Sequence, residues 1–318
     1  MHTTQSRVPV VAAIIIAVTL GSIAAQTPSD SAQGRLEATS LFGKPLLSAP
    51  PTGETKARLE AELAKAQADY DRDPQSADAA IWLGRRIAYL GRFRDAIDVF
   101  ARAIQQHPNE PRLYRHRGHR YITIRKFDLA VADLRKASQL IAGKKDEIEP
   151  DGAPNKQGIP RSTLQSNIWY HLGLAQYLSG DFTGALASYR EGIKVSKVND
   201  DMLVATSDWL YMTLRRLKRD ADARQVLEPI TEKMDVMENG AYHARLLMYK
   251  GLRTPESVLN LNTADDVQIA TQGYGVGNWY LVNGDKAKAK EIYDRVVAGK
   301  AWTAFGFIAA EADLSRGF

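Results

Sequence analysis

Cysteine is absent from the 318 residues, which excludes disulfides, thiolate metal centres, Cys nucleophiles and lipid attachment through an N-terminal cysteine. Long apolar runs are scarce as well. The one that exists, Val8 to Ala25, follows a start whose only charged side chain is Arg7, and it ends in the small residues Ser22, Ala24 and Ala25. That arrangement predicts an export signal over 1–25, removed by cleavage or, left uncleaved, retained as a membrane anchor. Neither sign of charge dominates, since Lys and Arg number 42 against 37 Asp and Glu, for a formal charge of +5. So mild a surplus gives no argument for nucleic acid. A P-loop and a Ser elbow are also missing. The run Gly273-Tyr274-Gly275-Val276-Gly277 follows no strand and leads into Asn278-Trp279-Tyr280, so it is not a dinucleotide loop.

What remains is a composition, 44% apolar and 25% charged, that can bury a sizeable core. Residues 26–53 are rich in Ser, Thr, Pro and Gly and read as a linker, with Leu41, Phe42, Leu46 and Leu47 forming an apolar strap within it. Glu54 to Tyr70 is a strong helix former carrying Leu59, Leu63, Ala66 and Tyr70 on one side. Beyond it an internal period appears. Gly84 and Gly118, Phe93 and Phe127, Ala96 and Ala130, Phe100 and Leu134, and Ala103 and Ala137 are each 34 residues apart. A second pair of segments is related by 104 residues, matching Gly173 to Gly277, Gly180 to Gly284, Ala185 to Ala289 and Tyr189 to Tyr293.

A 34-residue unit with Leu-Gly early and Ala-x3-Phe late resembles the tetratricopeptide repeat. The residues that carry the resemblance are Leu83-Gly84, Ala96, Phe100, Ala103 and Pro108, then Tyr114, Gly118, Tyr121, Ala130 and Ala137, then Trp169, Leu172-Gly173, Gly180, Ala185 and Tyr189. The expected fold is all-α, a solenoid of about six helix-turn-helix repeats with N- and C-terminal capping helices. The repeats fall at about 77–110, 111–144, 166–199, 201–234, 237–263 and 270–303, with an insertion at 142–164 containing Pro150, Pro154 and Pro160. Such an insertion reads either as part of a binding face or as a surface loop.

The resemblance implies that the first helix of each repeat lines a concave groove. Tyr114, Gly118 and Tyr121 share the packed side of one such helix, so Arg112, Arg115 and His119 point away from it, with His116 at the edge. The same offsets bring Trp82 and Arg85, Tyr170 and His171, Trp209, Tyr242 and Arg245, and Tyr274 and Asn278 to the groove. A family subgroup clamps a terminal carboxylate with paired Lys and Asn. Here Ile81, Arg85 and His116 stand at those places, so that ligand does not carry over. Some groove cations are alternatively expected to pair between repeats, Arg112 or Arg115 with Asp78 or Asp208. His116, His119 and His171 could approach one another, but Arg112, Arg115, Arg117 and Arg120 would repel a divalent ion.

The expectation is a non-catalytic scaffold, exported to the periplasm or another extracytoplasmic space, whose aromatic and basic groove binds a protein or peptide partner, including one with an acidic segment. Binding of an anionic envelope glycan or small anion is the alternative, and a hydrolytic enzyme with a His-based site the third reading. No catalytic residue, cofactor, metal or nucleic acid is expected, and membrane contact only if the N-terminal segment stays uncleaved. Fusing residues 1–33 to alkaline phosphatase in a bacterial host should give active, extracytoplasmic enzyme. Changing Ile15 and Ile16 to Asp should abolish that activity, and an inactive unmutated fusion would rule out the export reading.

Overall fold

The computed structural model describes residues 34–150, 152 and 154–318. The apolar segment Val8 to Ala25 and the first residues of the expected linker lie outside the described residues. The rest of that linker is structured. Strands β1 (Arg35–Thr39) and β2 (Pro45–Ser48) pair antiparallel, with an irregularity between Leu36 and Ala38. The turn is closed by Ser40, whose hydroxyl accepts the amides of Phe42 and Lys44. The bulge places Glu37 inward, where it is fully buried and accepts the Arg94 amide at 2.9 Å.

Helices follow in pairs: α1 (Gly53–Arg72), then α2 (Ala77–Tyr89) with α3 (Phe93–Gln106), α4 (Pro111–Thr123) with α5 (Phe127–Leu140), and α6 (Leu164–Ser179) with α7 (Phe182–Ser196). Next come α8 (Asp200–Arg216) with the short α9 (Asp220–Val226), α10 (Gly240–Tyr249) with the single turn α11 (Pro255–Val258), α12 (Asp266–Val282) with α13 (Lys286–Ala298), and finally α14 (Phe305–Arg316). Because α3 has no side-chain cap of its own, Glu37 from the hairpin supplies an acceptor at its exposed amides.

One packing rule recurs through the array. A Cβ on Gly84, Gly118, Gly173 or Gly277 would lie 2.4, 2.8, 2.6 or 2.5 Å from Phe100, Leu134, Tyr189 or Tyr293. In each pair the large side chain comes 16 residues after the glycine. The glycine lets the second helix of a repeat press this large side chain against the first helix's backbone.

The turn between paired helices needs a positive φ, which glycine supplies at Gly91, Gly180 and Gly284. The equivalent turn of the second repeat is made by Arg125, at φ 63°. A long side chain in that region costs about 1 kcal/mol or more, and this one is held by a buried junction. Arg125 Nε donates to Glu311 Oε2 at 2.8 Å, Nη1 to the Thr123 carbonyl and Nη2 to the Trp302 carbonyl. The other oxygen of Glu311 accepts the Leu41 amide at 2.7 Å, and Trp302 Nε1 donates to the Leu47 carbonyl. Hairpin, second repeat and C-terminal helix therefore meet at one point.

The array is thus closed on itself, and α14 sits inside the curve. Its small residues allow the approach, since a Cβ on Gly306 would lie 2.0 Å from the Ala270 carbonyl oxygen. Ala309, Ala310 and Ala312 are fully buried. Polar contacts fix the helix against the repeats: Arg216 pairs with Asp313 at 2.8 Å, Tyr274 donates to Asp313 at 3.0 Å, and Arg316 donates to the Leu178 carbonyl.

Arg125→Ala would leave the Glu311 carboxylate buried without its cation, a loss on the order of 3–5 kcal/mol. It should lower the urea midpoint and expose α14 to proteolysis. Arg125→Met with Glu311→Leu should recover much of the loss. An Arg125→Ala midpoint equal to that of the parent would show that the junction contributes nothing.

Candidate functional site

Helix α4 begins with Glu110 as its cap, accepting the Arg112 amide at 3.1 Å, and Pro111 in the first turn. Arg112 is spent on that same Glu110 and on Asp78, 2.6 Å away and one repeat earlier. Arg117 forks onto Asp133 with two bonds of 2.7 Å. The remaining polar side chains of α4, Arg115, His116, His119 and Arg120, line a cavity of about 170 Å³ with Arg85, Tyr89 and Phe100.

The 142–164 insertion forms the other wall through Glu149, Pro150 and Ser162. It is pinned by a bridge between Ile148 and Thr163 and by the Glu149 amide on the Ser162 carbonyl. Arg85 donates to the Pro150 carbonyl at 2.9 Å and Arg86 to that of Gly152 at 2.8 Å. Glu149, nearly inaccessible, lies 3.1 Å from Arg115 Nε and accepts Asn167 Nδ2 at 3.0 Å. An insertion that could have been a plain surface loop instead closes the cavity.

Beside the cavity lies a cluster of rings. Tyr170 and Tyr242 share a hydroxyl–hydroxyl bond of 2.9 Å, and Trp209 Nε1 donates to Tyr170 at the same distance. Phe305 at the start of α14 stands 5.4 Å from the His119 ring and 6.3 Å from Tyr170, and His119 lies 4.5 Å from His171. Tyr170, Tyr242, Phe305 and His119 are half-buried, so this cluster keeps an accessible side and joins the cavity through His119.

The other residues expected in a groove lie elsewhere. Trp209, Arg245, Tyr274 and Asn278 are buried in the interior. Arg245 forks onto Asp208 and packs over the Tyr242 ring at 4.6 Å. Tyr274 and Tyr177 share a hydroxyl–hydroxyl bond of 2.6 Å, and the Tyr177 hydroxyl lies 3.4 Å from Asn278 Oδ1. Trp82 is half-buried beneath Arg85, 4.5 Å away. The inner face beyond the third repeat is therefore packed core, because α14 fills it. Missing from the sequence reading are Arg120, Tyr89, Glu149, Ser162 and Phe305. Arg120 had a signal, lying one helical turn after His116, whereas the others approach only through the insertion and the closing helix.

Residues 166–199 match the family model described as the tetratricopeptide repeat, and the contact of a glycine with a large side chain in that segment recurs in the α2–α3, α4–α5 and α12–α13 pairs. That segment is a tetratricopeptide repeat. Among solved structures it is similar to YrrB, described as a TPR protein with an unusual peptide-binding site, at 12% identity over 73% of this chain and 91% of that one, TM-score 0.41. It is also similar to the Cut9–Hcn1 hetero-tetramer of the APC/C, at 16% identity over 76% of this chain and 37% of that one, TM-score 0.45. A putative kinesin light chain of Podospora anserina aligns at 14% identity over 71% and 94%, TM-score 0.43. No curated protein sequence matches the chain.

In this tetratricopeptide-repeat array the three histidines are held neutral. Burial lowers His116 well below its ordinary 6.5, and Arg115, Arg85 and Arg120 add to the effect. Burial likewise lowers His119, with Arg120 and His171 adding, and lowers His171, with Arg115 adding. Hydrogen bonds agree with neutral rings: Arg115 Nη1 donates to His116 Nδ1 at 3.0 Å, while His171 Nδ1 donates to the Asn167 carbonyl at 2.7 Å. Burial also pulls the Arg120 guanidinium down to about 10, with the Tyr89 hydroxyl opposing and Arg115 and Arg85 pulling the same way. It remains cationic at neutral pH. Among the described residues no group of three or more His, Asp or Glu is placed to hold a metal ion.

These depressed histidines set a pH dependence of stability. The unfolded chain binds protons below about 6.5 that the folded chain does not, so stability is full above that pH and falls below it. The slope approaches roughly 1.4 kcal/mol per pH unit for each histidine. Urea midpoints measured from about pH 7 down to about pH 5.5 should fall, and His119→Gln should flatten the decline by one histidine's share. A midpoint constant over that range would mean that the rings titrate normally.

Proposed function

We propose that this chain is a non-catalytic scaffold of the cell envelope that binds a protein or peptide partner. The partner lies on the Tyr170, Tyr242, Phe305 and His119 cluster beside the arginine-lined cavity. The observation that carries the reading is the continuity of these two features through His119. Rings already fixed by mutual hydrogen bonds and edge contacts offer contact area with little ordering cost. The neighbouring Arg85, Arg115 and Arg120 favour a partner with an acidic segment. Trp82 borders this face, while Trp209, Arg245, His171, Tyr274 and Asn278 support it from beneath, and His116 and Arg112 hold the α4 side in place.

Envelope location rests on the apolar segment Val8 to Ala25 and the small residues at its end. The non-catalytic part of the reading rests on how the polar groups are used. The histidines are neutral and engaged in packing or internal hydrogen bonds, and most carboxylates near them are already paired with arginine.

A photo-reactive phenylalanine analogue at Tyr242 should cross-link to a discrete protein in the native envelope. The same analogue at Leu129, which is exposed on α5, should not. Equal adducts at both positions, or none at Tyr242, would overturn the assignment of this face.

A further inference from the structure

We propose that the cavity between α2, α4 and the 142–164 insertion is a binding site for a small tetrahedral dianion of the phosphate type. The argument is an accounting of its three guanidinium groups. Arg115 is engaged, with its Nε 3.1 Å from Glu149 and an Nη on His116. Arg85 stacks on Trp82 and donates to a backbone carbonyl and, at 3.5 Å, to Tyr89, but among the described residues it meets no carboxylate. Arg120 has no hydrogen bond or ion pair among the described residues and lies over the Phe93 ring, at 5.7 Å. The nearby acids are committed elsewhere, Glu62 to Arg86 and Asp78 to Arg112.

Among the described residues three cations therefore face one carboxylate, Glu149, in a cavity lined otherwise by neutral groups. Cations brought together away from water repel unless an anion joins them, and the surplus here is two positive charges. A monoanion would leave one of them uncompensated. Shape points the same way: a carboxylate presents its acceptors in one plane, whereas a tetrahedral oxyanion presents them in three dimensions to donors converging from several sides. The cavity is large enough for several waters, so such an ion fits without opening the loop. The hydroxyls of Tyr89 and Ser162 on the wall provide neutral donors. Glu149 already shows that the site accepts an oxyanion, since its carboxylate sits against Arg115 within it.

The test is titration calorimetry on the purified full chain at low ionic strength and about pH 8, where phosphate is a dianion. Inorganic phosphate and sulfate should each saturate a single site, and acetate should bind at least tenfold more weakly. Arg120→Gln should weaken phosphate at least tenfold without lowering the urea midpoint, because it removes a charge that has no partner. Lys194→Gln, exposed on α7 and outside the cavity, should leave binding unchanged, and Glu149→Gln should tighten it by raising the positive surplus. Absence of saturable binding of phosphate and sulfate would overturn the proposal. So would acetate binding equal to phosphate, or undiminished binding by Arg120→Gln.

Discussion

The ion pair between Arg125 and Glu311, 2.8 Å long and almost inaccessible to solvent, converts an open row of helix pairs into a closed body. In an open solenoid each repeat touches only its neighbours, and the ends are independent. Here the second repeat, the C-terminal helix and the N-terminal hairpin share a single buried junction. A charge pair in such a place contributes less net stability than its geometry suggests, since both ions lose water. Its effect is on shape, because an alternative arrangement would strand a charge.

Closure also explains the fate of the inner surface. Aromatic and charged residues that would line an open groove become interior once α14 lies among them. Asp208 and Arg245 neutralise each other there, 37 residues apart, and Asp313 takes both Arg216 and Tyr274. Where the curve is left unfilled, between the first three repeats and the insertion, a cavity persists. The cations on that stretch of α4 divide accordingly. Arg112 and Arg117 find acids on neighbouring helices, while Arg115 finds its acid on the inserted loop.

The repeat architecture was legible because close helix crossing demands glycine, and a demand repeated at a fixed interval leaves a period. Gly84, Gly118, Gly173 and Gly277 carry it, each against a large side chain of the second helix. The Asp78–Arg112 pair was readable for the same reason, being one period long. What could not be read was anything made by closure. Nothing local in Phe305 to Arg316 says that the helix turns inward, since small residues at Gly306, Ala309 and Ala310 suit any close packing. The hairpin over 35–48 hid in a composition typical of linkers, and Glu149 lies in a polar insertion whose contacts depend on where the loop lands.

The left-handed Arg125 at a turn where the first, third and last repeats use glycine bears on how such a protein can change over evolutionary time. Repeat arrays ordinarily diversify by duplicating or deleting a unit, since each addition merely lengthens the row. In this molecule Arg125 and Glu311 sit near opposite ends of the row yet must meet, so the number of units between them fixes whether they can. One unit more or fewer would carry the carboxylate out of reach and leave both the strained turn and the buried acid uncompensated. The copy number of the array is thereby locked, and change is channelled into loops such as 142–164, which can alter what the cavity holds without altering the circumference.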